Sequence, residues 1–363
     1  MTGKRTPNVL GRADRGVAVQ VGAVVLLGFV VASMAIYQAT VVPAQNQSAE
    51  FEHNQQVHDS LDSVRDTLTR LPERRSPRSV SVPLGPRYRD RDVFVNPSAP
   101  AGTLRTNGTA DPSVNVSIAN ATAVGNAETA DFWSGNRTRN FSTGSLVYEP
   151  GYNEFRGPTT VYEHSVLFDE YADRDVVRSG QVLVDGDRIS IVTLNGTFQR
   201  TAADAATLDI RPASSSDNQV ALVNETGNLT ISFRTRLSED KWRQLLADEL
   251  DGTGDRDNDA RIHDLRWQDA PGPWHTVTLE FERANASDPY QLRMARANVG
   301  TGATDTEPAY VTRVDGGETI TVREGSSTQL VAEVRDKFNN PVSGVAVSAN
   351  DPGVGTLDPQ RAV

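Results

Sequence analysis

The chain has no cysteine. That excludes a disulfide framework, a CxxC redox pair and any thiolate zinc site, so its core must hold by packing and hydrogen bonding. Lysine is nearly as scarce: Lys4, Lys241 and Lys337 are the only three, which leaves 36 − 3 = 33 of the basic residues as arginine. Aromatic residues make up 6% and the net charge is −11. An acidic exterior argues against nucleic acid as a partner. A surface of carboxylates and guanidinium groups also stays hydrated when salt screens charge strongly. Catalytic patterns are missing as well. HExxH, GxSxG, SxxK and P-loop motifs do not occur, and His53, His58, His164, His263 and His275 show no metal-ligand spacing. These absences point to a non-enzymatic chain with no cofactor and no metal.

What the chain does have is one long apolar run. Val17 to Val42 holds 26 residues without a charge. At about 1.5 Å rise per residue it forms a helix roughly 39 Å long, enough for a hydrocarbon core of about 30 Å. Lys4, Arg5, Arg12 and Arg15 precede it, and no Lys or Arg follows until Arg65. That asymmetry predicts a cytoplasmic N-terminus over 1–16, a single transmembrane helix over 17–42 and the remaining 363 − 42 = 321 residues outside the cell. Beyond Pro43, Val57, Leu61, Val64, Leu68 and Leu71 recur at spacings of 4, 3, 4 and 3. The spacing predicts an amphipathic helix over 43–71 with one narrow apolar seam, ended by Pro72 and kinked near Pro43. Such a seam suits a partner helix, one face of a β domain, or a coiled-coil stalk.

Residues 72–112 are rich in Pro and Arg, which predicts a linker with extended or edge-strand character. From there to residue 306 the pattern is mainly β. Ile231 and Phe233 alternate with polar neighbours, as do Val277, Leu279 and Phe281, and Asp185-Gly186 reads as a hairpin turn. One helix is expected after Ser238, with Trp242, Leu245, Leu246 and Leu250 on its apolar face. The expected fold over 113–306 is a β-sandwich or barrel with one packed helix. Within it, residues 144–166 cluster Tyr148, Tyr152, Phe155 and Tyr162 with Glu149, Glu154, Glu163 and His164. Cross-strand packing explains that cluster better than catalysis. The acidic loop Asp251–Asp259 lacks the Gly and Glu of an EF-hand at 260 and 266, so it reads as a solvated loop.

Ten Asn-x-Ser/Thr sites occur, at Asn46, Asn107, Asn115, Asn120, Asn136, Asn140, Asn195, Asn224, Asn228 and Asn285. All but Asn46 lie from residue 107 onward, and together they predict a glycosylated outer surface.

Three resemblances extend this reading. The acidic, Lys-poor composition resembles proteins of salt-loving archaea. The basic N-terminus ending Asp14-Arg15-Gly16 before an apolar helix resembles the class III signal of archaeal type IV pilins and archaellins. That resemblance implies peptidase cleavage between Gly16 and Val17, and self-assembly or surface-layer partners through the N-terminal helix. Val21 stands where many pilins carry a glutamate. Residues 320–357, with Val-Arg-Asp, Asn-Asn-Pro-Val and Gly-Val-Ala-Val, resemble bacterial Ig-like domains of the invasin and intimin type. This implies a partial β-sandwich over 307–363 serving as a spacer or adhesive module. The expectation is a membrane-anchored extracellular surface protein, pilin-like, for assembly or adhesion. A monomeric surface receptor or surface-layer binding module is the alternative.

Overall fold

The computed structural model describes residues 13–111, 113–135, 137–224, 227–250, 260–314 and 321–350, with 356, 358, 361 and 362. Helix dominates the N-terminal part. Helix α1 (Ala13–Ile36) passes through one π turn, Tyr37–Val41, into α2 (Val42–Thr69). Pro43 has no N–H, and its ring would strike the carbonyl of Ala39, four residues back. The π turn falls at that spot: the Val42 N–H reaches back to the Tyr37 carbonyl, and the Thr40 hydroxyl donates to the Ile36 carbonyl at 2.8 Å. Pro43 therefore widens one turn and does not end the helix. The described residues hold one helix long and apolar enough to cross a membrane. From Val19 to Ile36 it exposes Val24, Leu26, Phe29 and their neighbours.

The rest is mainly β and sandwich-like. A seven-stranded sheet centres on Tyr290–Val299, Ala205–Ser214 and Arg188–Asn195. A six-stranded sheet centres on Ser145–Glu149, Thr159–Glu163 and Val166–Glu170, and a five-stranded sheet on Thr230–Thr235 between His275–Phe281 and Asn115–Ala119. The alternation seen in the sequence sets the register: Ile231 lies opposite Leu279 and Phe233 opposite Val277, all four buried. The expected hairpin forms, with Val184 opposite Ile189 and Asp185 opposite Arg188, so the turn is Gly186-Asp187 and Gly186 takes φ of 55°. The next pairing was not expected. Arg188–Asn195 runs parallel to Tyr290–Val299, while every other described strand pair is antiparallel.

Three expectations need correction. Residues 72–111 have the edge-strand character expected in part, but they belong to the sheets and are not a linker. Arg78–Pro83 forms the edge strand beside Ala205–Ser214, and Gly102–Asn107 pairs with Ser145–Glu149 inside the six-stranded sheet. The prolines flank these strands or sit on the sheet edge, where no ladder hydrogen bond is lost. Among the described residues two short helices pack on the sheets, the expected one after Ser238 and a second. Helix α3 (Ala127–Phe132) is capped by the Asn126 side chain, which accepts from the Thr129 N–H at 3.0 Å. Helix α4 (Glu239–Leu245) buries Trp242, and Ser238 precedes it without a side-chain cap bond.

The third correction concerns the C-terminal segment. Pro308–Arg313 pairs with Ala332–Asp336. The turn that follows is buried in the main domain. Phe338, 1% exposed, packs against Phe141 at 5.2 Å between ring centroids. The Asn340 amide donates to the Ser214 hydroxyl at 2.6 Å and to the Met294 carbonyl at 2.9 Å. Among the described residues, the turn at 336–340 thus shares the core of the 113–306 unit, and the segment is not a separate body.

Candidate functional site

The site grows from the buried face of α2. Its C-terminal half carries the predicted seam. Val57, Leu61, Val64, Leu68 and the following Leu71 are each at most 2% exposed. They pack with Val82, Leu104, Tyr148, Leu167, Leu208 and Ala297, residues drawn from both large sheets. Of the three surfaces the seam suits, a β domain is the one it meets.

The same face continues upward in polar residues. Asn46, Glu50, His53, Asn54 and His58 keep the helical phase of the seam, and all are buried. Glu50 is fully buried. One carboxyl oxygen accepts from the Glu154 N–H at 2.8 Å and the Phe155 N–H at 2.6 Å. The other accepts from the Asn153 N–H at 2.8 Å and from the Tyr88 hydroxyl. Three successive backbone amides form a cradle for an anion, here filled by a side chain of the protein itself. The loop bends to reach Glu50 because Gly151 lies against the Ala101 carbonyl, where a Cβ would come within 2.1 Å.

His53 and His58 extend the row. The His53 Nδ1 is 2.8 Å from the Tyr152 hydroxyl, and burial pushes its pKa down to about 4 against the opposing charge of Glu50. Burial likewise pushes the Tyr88 and Tyr152 hydroxyls well above the ordinary phenol value. The His58 Nε2 is 3.1 Å from a buried Asp169 oxygen, a contact that requires the proton on Nε2. The Thr160 hydroxyl donates to the same oxygen at 2.7 Å. Arg65 closes the row, donating to the Ser165 carbonyl and the Gly180 carbonyl at 2.7 Å each.

Ser165 belongs to a tight hairpin turn in which His164 and Ser165 hold φ of 45° and 71°. Such a turn ordinarily takes Asn-Gly, so two non-glycine residues here carry strain. The His164 Nε2 is 2.7 Å from the Arg234 carbonyl, and burial pushes its pKa down to about 4. Glu163 accepts from the Thr235 hydroxyl and from the Arg236 N–H at 2.8 Å. Burial pushes its pKa up to about 7, against these hydrogen bonds and the charge of Arg236. Glu163 and His164 are thus each engaged on separate backbone groups.

The Glu163 shift has a definite sign. The folded state binds the extra proton between the ordinary carboxyl value of 4.5 and about 7. This group's contribution is therefore fully present below 4.5 and is lost as pH rises through about 7. Glu163→Gln keeps a neutral group there. Its unfolding free energy relative to the parent is expected to rise between pH 4.5 and about 7 and to level off above, measured by denaturant titration across that range. A constant difference would contradict the burial of an ionisable carboxyl.

The predicted modification sites fall in varied settings. Gly16 and Val17 lie within α1. Asn285 is exposed, and its Oδ1 accepts from the Ser287 N–H at 2.9 Å and the Asp288 N–H at 3.1 Å, an Asx turn. Asn140 is exposed on the edge strand Arg139–Ser142. Asn107, Asn115, Asn120, Asn195 and Asn228 are half-buried. Asn224 is a poor acceptor in the folded chain, because its Nδ2 is buried and its Oδ1 holds the Ala284 N–H at 2.7 Å. Asn46 is buried in the seam. Asn136 and the loop Asp251–Asp259 lie outside the described residues. Among the described residues no group of three or more His, Asp or Glu is arranged to hold a metal ion.

The sequence signal for the polar seam was present, since residues 46, 50, 54, 57, 61, 64 and 68 share one helical phase. Only its apolar half reads as a core face, because burial of the polar half depends on partners distant in sequence. What the arrangement does chemically is clamp: it fixes the helix that continues from the long apolar helix to the loops and turns of a β domain.

No family model matches the chain. An uncharacterized protein of Archaeoglobus fulgidus is 24% identical over 213 residues, covering 58% of this chain and 79% of the relative. A second uncharacterized protein of the same organism is 20% identical over 335 residues, covering 91% of this chain. The chain spans about half (52%) of that second relative's length. No solved structure matches.

Proposed function

We propose that this chain is a non-enzymatic, membrane-anchored surface protein that holds its β domain outside the cell for assembly or adhesion. The observation that carries the reading is the unbroken passage from the apolar helix into the clamped seam, without a flexible joint between anchor and head. A head held this way keeps a set orientation to the membrane, which suits a subunit or a display surface. The outward orientation rests on Lys4, Arg5, Arg12 and Arg15 before the span. The pilin-like route adds cleavage between Gly16 and Val17 and packing of α1 on copies of itself or on a surface layer. The Ig-like likeness of residues 320–357 adds an adhesive role. Glycans, where present, belong on Asn285 and Asn140.

Val21, at the position of the pilin glutamate, favours a second reading: an uncleaved monomeric receptor or binding module. Mass spectrometry of the native protein separates the two. A mature chain starting at Val17 supports the pilin-like route, and an intact Met1 supports the simple anchor. Protease added to intact cells is expected to digest the β domain and spare a tag on the N-terminus. Protection of the β domain with loss of the tag would overturn the orientation.

A further inference from the structure

Residues 85–101 leave the edge of one sheet and return to the next strand, closed by the Gly102 N–H donating to the Leu84 carbonyl at 2.9 Å. Between those ends the chain descends along the helix toward its apolar half. Tyr88 meets Glu50. Arg91 donates to the Gln45 side chain at 2.8 Å. Gln38 and the Val95 backbone then exchange two hydrogen bonds, with the Val95 N–H donating at 3.0 Å and the Gln38 amide at 2.8 Å. The Phe94 ring stacks on Tyr37 at 4.4 Å between centroids. From Glu50 to Gln38 the helix covers about 18 Å at about 1.5 Å per residue. The loop tip therefore lies level with Tyr37, just past Ile36, where the exposed apolar surface of α1 ends.

The tip itself is apolar and outward-facing: Val93 is 64% exposed and Val95 is 74% exposed. Two exposed valines flanking a phenylalanine leave apolar surface in contact with water, which burial in an apolar phase would relieve. Arg87 and Arg89 lie on the descending arm, exposed, with Asp90 and Asp92 beside them. Arginines one step above an apolar tip, and a tyrosine at the same level, match the order of groups met on passing from a headgroup layer into acyl chains.

We propose that the Val93-Phe94-Val95 tip is a second membrane contact, buried at the headgroup–acyl boundary of the leaflet facing the β domain. This rests on the reading of Val17–Val42 as a membrane span. The tip and the helix then meet the membrane at two points, which sets the tilt of the head as well as its height. The occupant is lipid because the tip is continuous with the exposed face of α1 and shares its polarity boundary.

The absence of cysteine makes the test direct. Full-length protein carrying Val93→Cys, Phe29→Cys or Asp217→Cys is labelled with an environment-sensitive fluorophore. Each is then reconstituted into phosphatidylcholine–phosphatidylglycerol vesicles containing lipids brominated near the headgroup or deep in the chain. The expected result is loss of fluorescence at position 93 with the shallow bromines, at position 29 with the deep bromines, and at position 217 with neither. Quenching at 29 without quenching at 93 overturns the tip contact and leaves the anchor standing. No quenching at 29 overturns the anchor and the tip contact together. Disulfide cross-linking of Val93→Cys chains to one another, with no quenching at 93, assigns the tip to a second copy and overturns the lipid contact.

Discussion

Glu50→Ala is expected to lower the unfolding free energy by about 3–5 kcal/mol, the range for removing one partner from a buried charged network. The substitution leaves the Asn153, Glu154 and Phe155 N–H groups and the Tyr88 hydroxyl without their acceptor. A donor orphaned in a fully buried site costs about 1–3 kcal/mol, and less here where water reaches the loop of exposed Asn153 and Glu154. Alanine is the best helix former, so helix propensity alone predicts a slight gain. Glu50→Gln is also expected to destabilise, because its NH₂ would face an N–H donor instead of accepting from it. Denaturant unfolding of the full-length chain in micelles reads both variants. A neutral or stabilised Glu50→Ala would mean that the cradle does not hold the helix.

Phe338→Ala is expected to cost about 3–5 kcal/mol in the unfolding of the main β domain. Phe338 is 1% exposed and packs on Phe141, which in turn stacks on Trp133 at 6.2 Å. The cavity therefore opens beside a buried tryptophan, and the fluorescence of the main transition reports it. An independent C-terminal Ig-like unit would behave differently: its own transition would shift, and that of residues 113–306 would stay in place. A main transition unchanged within error contradicts the shared core described for the turn at 336–340.

Local periodicity made part of this molecule readable from residues alone. Val57 to Leu71 announced a buried face because five apolar residues kept one helical phase. Thr230–Thr235 and His275–Phe281 announced half-buried strands by strict alternation, and they pair with one another. Glu50 keeps the same phase but its charge disguises it, and besides Tyr88 its partners are backbone amides 103–105 residues away with no side-chain signature. The parallel pairing of Arg188–Asn195 with Tyr290–Val299 was hidden for a related reason: parallel neighbours are joined by long connections and leave no turn motif. Composition misled at residues 72–112, where prolines between strands looked like a linker. The turn at Phe338 reads locally as any exposed Asp-to-Pro turn, and only its contact with Phe141 makes it core.

The central claim is that α2 belongs to the β domain and is not a stalk beneath it. Hydrogen exchange of the full-length protein tests this most directly, by comparing the amides of residues 50–68 with those of the central strand Tyr290–Val299. The account predicts that both sets exchange in the same slow class, since the helix opens only when the sheets do. Fast exchange across residues 50–68 beside a protected strand would contradict it.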